Sequence, residues 1–235
     1  RIIFVICLVM ITAGVKSQYM EAGVFGGGSY YLGDLNPAYH FMQTKPAYGL
    51  LLRNSFGTRW VLKVSAYQGE VAADDYVSEY HLTRGLNFKS TITDFAAIVE
   101  FNFLDYYTGS KRHRWSPFIF AGLGAFLFKP VSEGVNLRDA GTEGQNEGFN
   151  QREPYNLYSF TMPFGIGVKL SLGQKFGLGL EWGMRKTLTD YIDDVSTTYY
   201  LQGDLIDPGN TTEVLSDPTF LHSPNQERGN PRTKD

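Results

Sequence analysis

The run Tyr158-Ser159-Phe160-Thr161-Met162-Pro163-Phe164-Gly165-Ile166-Gly167-Val168-Lys169-Leu170-Ser171-Leu172 alternates apolar with small or polar residues from end to end. Period two over that length specifies an extended strand with two chemically different faces. One face carries Tyr158, Phe160, Met162, Phe164, Ile166, Val168, Leu170 and Leu172, and the other holds no large apolar side chain. A strand that crosses a membrane needs this apolar-out, polar-in dyad over about 10 residues. Gly173-Gln174-Lys175 then predicts a tight turn, after which Phe176, Leu178, Leu180, Trp182 and Met184 oppose Gly177, Gly179, Glu181, Gly183 and Arg185. The two strands pair as a hairpin.

The same pattern recurs upstream. Residues 91 to 103 set Phe95, Ala97, Val99, Phe101 and Phe103 against Asp94, Ala96, Ile98, Glu100 and Asn102. Residues 59 to 67 set Trp60, Leu62, Val64 and Ala66 against Arg59, Val61, Lys63, Ser65 and Tyr67. Residues 47 to 53 set Tyr48, Leu50 and Leu52 against Gly49, Leu51 and Arg53, with residues 54 to 58 as the turn between these strands. Residues 19 to 31 give a first strand with Glu21 facing inward, broken by Gly26-Gly27-Gly28. Residues 117 to 128 read as a strand whose faces cannot be told apart, since both are apolar or glycine. The fold class that follows is all-β: an antiparallel transmembrane β-barrel of about eight strands, seven of them visible. Its 26 glycines and its 15 tyrosines and 17 phenylalanines suit close strand approach and interfacial girdles.

Connection lengths add an independent argument. The connections at 54–58 and 173–175 are short and 104–115 is moderate, whereas 32–45, 68–90, 129–156 and the stretch after about 187 are long. Outer-membrane barrels alternate short periplasmic turns with long extracellular loops in this order. An even strand count keeps every edge paired in lipid, so the expectation is a closing strand of about ten alternating residues beyond Asp235. At the other end, Arg1, the apolar run Ile2–Ile11 and the small residues before Gln18 read as a secretory signal peptide over 1–17, too short to span a membrane. That leaves 18–235 as the barrel domain. Cys7 lies inside the signal run without the small neighbours of a lipoprotein site, so no lipid anchor, disulfide or thiolate metal site is expected.

Sites of chemistry are sparse. Net charge is −3 with no basic stripe, which argues against a nucleic-acid partner. His40, His81, His113 and His222 all fall in connections without a second ligand at useful spacing. Asp190, Asp193 and Asp194 crowd one loop, but the spacing of an EF-hand is missing. No catalytic residue, metal site or cofactor is expected. The inward charges Glu21, Asp94, Glu100 and Glu181 nearly balance Arg53, Arg59, Lys63, Lys169 and Arg185, which predicts a paired network plugging a narrow barrel. Lys111-Arg112-His113-Arg114, followed by Trp115, is the concentrated basic run. It suits either a headgroup anchor or a docking patch for an acidic periplasmic partner.

The string Leu180-Glu181-Trp182-Gly183-Met184-Arg185-Lys186-Thr187-Leu188-Thr189-Asp190-Tyr191-Ile192-Asp193-Asp194-Val195-Ser196, with Arg228-Gly229-Asn230-Pro231, resembles the PorG-type outer-membrane proteins of Bacteroidota. The resemblance spans the chain. It implies an eight-stranded barrel in the type IX secretion system, in contact with outer-membrane lipid and with periplasmic ring proteins of the PorK lipoprotein and PorN types. It implies no binding or catalytic role for the string itself. Three functions are therefore weighed: a non-enzymatic barrel that anchors or organises a secretion complex, a general small barrel acting as adhesin, and a lipid-modifying barrel enzyme. The enzyme would need a histidine with a serine or carboxylate partner on adjacent strand ends, and the sequence offers no such pair.

Overall fold

In the computed structural model, which describes residues 19–79, 84–148, 151–196 and 211–218, alternation becomes a single antiparallel sheet. Its long strands are β1 (Tyr19–Ser29), β2 (Lys45–Phe56), β3 (Trp60–Asp74), β4 (Asn87–Asn102), β5 (Trp115–Ser132), β7 (Tyr158–Leu172) and β8 (Phe176–Thr187). A two-residue β6 (Val135–Asn136) folds back on the end of β5 through Glu133 and Gly134, both at positive φ. The order β1-β2-β3-β4-β5-β7-β8 is sequential throughout, and the sheet curls into a half-barrel. Signal peptide, Gln18, Cys7, His81, His222 and the Arg228–Pro231 tetrapeptide lie outside the described residues.

All seven strands expected from alternation are present, and the 158–172 strand has the bounds its pattern gave. Gly173, at φ +71, opens the turn to β8, a conformation that costs glycine little. Between β5 and β7 the ladder is interrupted at Met162 and Pro163. Pro163 has no N–H to contribute there.

Three expectations need correcting. Gly26-Gly27-Gly28 does not break β1, because each glycine stays in register, opposite Tyr48, Ala47 and Pro46. The turn after β2 is shorter than 54–58, since β2 continues through Phe56 and β3 starts at Trp60. At the other end β3 runs on to Asp74, β4 starts at Asn87 and β5 reaches Ser132. The β3 extension has no alternation to reveal it, because it is covered on both faces: Val71, Ala72 and Ala73 are consecutive and all buried. Those of β4 and β5 keep one exposed face, at Lys89 and Lys129, and are too short and polar to stand out from the connections.

The long connections do the covering. Leu35 from the β1–β2 connection, Val71, Ala73 and Phe88 from the extended ends of β3 and β4, Leu86 just before β4, Leu137 from α2 (Leu137–Ala140), Val195, and Leu215 from α3 (Thr211–Ser216) form one buried cluster. Phe126, Phe128 and Tyr155 form a second, packed against Tyr191 and Ile192. Between β3 and β4, helix α1 (Asp75–Ser78) starts under the Asp74 side chain, which accepts from the Tyr76 amide at 2.8 Å. Buried Asp75 accepts two bonds from Arg84 and one from the Leu86 amide, at 2.7 to 2.9 Å. The connections read as long thus fold into a cap with its own apolar core. Among the described residues no helix is long and apolar enough to cross a membrane.

Candidate functional site

Curling brings the inward charges together. The side chains of Arg53 (β2), Lys63 (β3), Glu100 (β4), Lys169 (β7) and Glu181 (β8) meet on the concave face. Glu100 accepts from Arg53 at 3.2 Å, from Lys63 at 2.9 Å and from Lys169. Glu181 accepts from Arg53 at 2.6 Å and from Lys63 at 2.8 Å. Lys169 also donates to Asn102 at 3.1 Å. Each buried charge therefore has a partner, without which desolvation would be prohibitive. Two turns of alternation nearer the cap, Arg185 pairs with Asp94 at 3.3 Å and lies 4.8 Å over the Tyr67 ring.

The faces of β5, unreadable in the sequence, are now assigned. Phe118, Phe120, Phe126 and Phe128 point inward and are buried, while Ile119, Leu123 and Leu127 point outward and are exposed. An apolar inner face is compatible with the charges because their ammonium groups rest on the rings: Lys169 lies 4.4 Å from the Phe118 centroid and Lys63 4.9 Å from that of Phe120. Such cation–π contacts offset part of the lost hydration. The rings fit because the opposing strands offer glycine. A Cβ on Gly167 would lie 2.5 Å from Phe118, and one on Gly183 2.6 Å from Phe120.

The short-turn end is closed by the connection between β4 and β5. Its Tyr106 is buried with its amide donating to Thr58 O at 3.2 Å, and its Thr108 donates to Glu21 on β1 at 2.5 Å. Gly109 donates to Ser171 Oγ at 2.8 Å while its α-carbon packs beside Gln174 O. A strap from the middle of the sheet so reaches β1, β7 and the β7–β8 turn. Glu21 joins the strap and not the central cluster. Arg59 is a correction: it sits in the turn before β3, exposed, and pairs with Asp105 at 3.2 Å. Counting by twos carried the strand one residue too far. Hydrogen bonding from Thr58, with Arg59 beside it, holds the Asp105 carboxyl below the usual carboxylate range.

Lys111, Arg112 and Arg114 are exposed on the strap's outer side, and His113 is half-buried with its ring edge-on to Tyr107 at 5.7 Å. The turns at this end, 57–59, 103–114 and 173–175, hold five Lys or Arg residues against one carboxylate, Asp105. That end is strongly basic.

The segment whose role the sequence left open, Thr189–Ser196, lies in the cap. Asp193 is 4 % exposed and accepts from the Tyr31 hydroxyl; Asp194 is fully buried and accepts from Thr142 and, at 2.6 Å, from Tyr155. Glu143 in turn accepts from the Ser196 amide at 2.9 Å. Burial, with Asp34 nearby, pushes the Asp193 carboxyl up to about 8. These carboxylates face hydroxyls and amides, and among the described residues no cluster of histidine, cysteine, aspartate and glutamate could hold a metal ion.

Fold and interior together define an all-β, barrel-like domain whose concave face is filled by paired charges and phenylalanine rings. A family model described as a domain of unknown function, DUF6089, matches residues 1–201, and the chain belongs to that family. No curated protein and no solved structure matches it.

Proposed function

We propose that this protein is a non-enzymatic outer-membrane barrel that organises a periplasmic assembly of a protein secretion machine of the type IX kind. The observation that carries the reading is the outer face. Val24, Leu50, Leu123, Phe160, Ile166, Leu178 and Leu180 stand there exposed, up to 81 % for Val24. A contiguous apolar surface of that extent requires a covering phase. Along β8 the apolar face runs from Phe176 to Met184, close to the roughly 9 to 11 residues with which a tilted strand spans a membrane. Phe56, Trp60, Phe103, Trp115 and Phe176 form an exposed aromatic rim at the short-turn end, suited to a headgroup girdle.

In this reading the short-turn end is periplasmic and the cap extracellular. The filled interior favours an anchor over a pore, and the basic tip at Lys111, Arg112, His113 and Arg114 is the surface that receives acidic ring components, PorK- and PorN-like by the resemblance of the Leu180–Ser196 string. Charge reversal at Lys111, Arg112 and Arg114 tests it. Co-purification of periplasmic ring proteins with the wild-type barrel from native membranes, and its loss in the reversed variant, is the expected result. Unchanged recovery with the reversed variant removes the docking patch, and no recovery with either removes the secretion role. A second reading, an adhesin, is favoured by the folded cap, since loops on a rigid scaffold are where recognition surfaces are built.

A further inference from the structure

We infer that Thr189–Ser196 is the latch that locks the long connections into one cap over the end of the sheet. Two connections are fastened by hydrogen bonds to this turn, and a third segment, at Leu215, meets it in the apolar cluster. Asp193 takes the hydroxyl of Tyr31, in the β1–β2 connection, and Asp194 takes those of Thr142 and Tyr155, in the connection between β6 and β7. Ser196 donates its amide to Glu143 of that same connection. Tyr191 stacks on Tyr155 with ring centroids 4.4 Å apart, and Val195 enters the core cluster at 1 % exposure beside Leu35, Leu137 and Leu215.

The composition of the segment follows from this task. Two successive carboxylates in a turn point in different directions, so Asp193 and Asp194 can seize different neighbours, and Asp194 at φ +62 gives the bend that separates them. Buried carboxyl oxygens accepting from hydroxyls form directional bonds, and each is costly to leave unpaired. Apolar pairs alone would hold the connections together without fixing their arrangement. The latch does not depend on the membrane reading or on any secretion role, because its contacts are all within the chain.

The test uses the full chain folded in detergent micelles, treated with trypsin. Arg138 and Arg152 lie in the latched connection, where Arg138 donates to Tyr155 O at 2.7 Å and Arg152 to Glu143 O at 2.9 Å. Cleavage there, read by mass spectrometry, reports opening of the cap, while retention of the faster-migrating unboiled band on gels reports the sheet. Asp193→Ala with Asp194→Ala is expected to speed cleavage at both sites at least about tenfold with the folded band retained, since three hydroxyl bonds are lost together and each is worth roughly two- to tenfold. Tyr31→Phe and Thr142→Val, which remove single hydroxyls and leave the carboxylates, are each expected to accelerate it less. Cleavage at the wild-type rate in the hydroxyl variants overturns the proposal, whether or not the double alanine variant folds.

Discussion

Lys63 on β3 and Glu181 on β8 are separated by three intervening strands of the sheet, yet their charged ends meet at 2.8 Å. On a flat sheet, four strand spacings would hold them about 19 Å apart. The ion pair is therefore a measure of curvature, and Glu100, with three cationic partners, is its hub.

Replacing that hub should cost more than replacing any one cation. Glu100→Ala leaves Arg53, Lys63 and Lys169 facing one another with only Glu181 to share, and removal of one side of a buried pair costs about 3 to 5 kcal/mol. Lys169→Met leaves Glu100 two partners and keeps an apolar chain over Phe118. Urea unfolding of the chain in lipid vesicles, followed by tryptophan fluorescence, is expected to show the lower midpoint for Glu100→Ala. Equal midpoints for the two variants would mean that water reaches the cluster freely.

Glycine on the inner face of β7 and β8 makes room for rings. Gly183→Ala puts a methyl group 2.6 Å from Phe120 Cζ, an overpacking worth about 1 to 3 kcal/mol. Phe120→Leu should recover part of that loss in a double-mutant cycle, whereas the two changes would simply add if the ring were elsewhere. Gly26→Ala, with no atom within 4 Å of its added Cβ, is the expected neutral control.

How much of this was legible in the sequence depends on what covers each face. β7 and β8 were readable because their outer face is apolar and exposed while their inner face carries glycine, where the rings of β5 approach, and a few polar or charged side chains, so small residues alternate with large ones. β5 was not, because its inner face is itself aromatic: Phe118 and Phe120 fill space that Gly167 and Gly183 vacate, and no local pattern announces a partner on another strand. The upper end of β3 lost its alternation where the cap buries both of its faces. Of the inward charges expected, Arg53, Lys63, Glu100, Lys169 and Glu181 come together and Asp94 pairs with Arg185 apart from them, while Arg59 sits in a turn and Glu21 is drawn off by Thr108. The latch left only a conspicuous acidic string, since the contact that explains Asp193 lies 162 residues away at Tyr31.

The latch should also respond to pH. Tyr31 and Asp34 from the β1–β2 connection, and the amides of Val195 and Asp193 itself, are the groups that set the Asp193 carboxyl, with burial the largest influence. Its value rises to about 8 in the closed cap, while the opened segment returns to the ordinary range near 4. The closed form therefore binds the extra proton between those limits, so closure is favoured most below about pH 4, weakens as pH rises and levels off above about 8. Tryptic cleavage at Arg138 and Arg152 is too narrow in pH for this, so amide hydrogen exchange of the cap, corrected for intrinsic rates, is the measurement. Asp193→Asn should flatten the pH dependence; a wild-type profile retained by that variant would assign the effect to another group.

Conductance puts the filled interior to its hardest test. The Glu100 cluster, the Phe118 and Phe120 rings beneath two of its cations, and the Tyr106–Gly109 strap occupy successive levels of the concave face. Under the proposed membrane reading these layers obstruct the lumen, and the wild-type chain in a planar bilayer is expected to give no stable unitary steps. Replacing Phe118 and Phe120 with alanine together with Thr108→Val and Tyr106→Ala removes ring volume and loosens the strap while leaving every charged side chain in place, and should introduce discrete openings. Stable steps from the wild-type chain would instead assign the inner charges to a permeation path, and the anchor would have to be read as a channel.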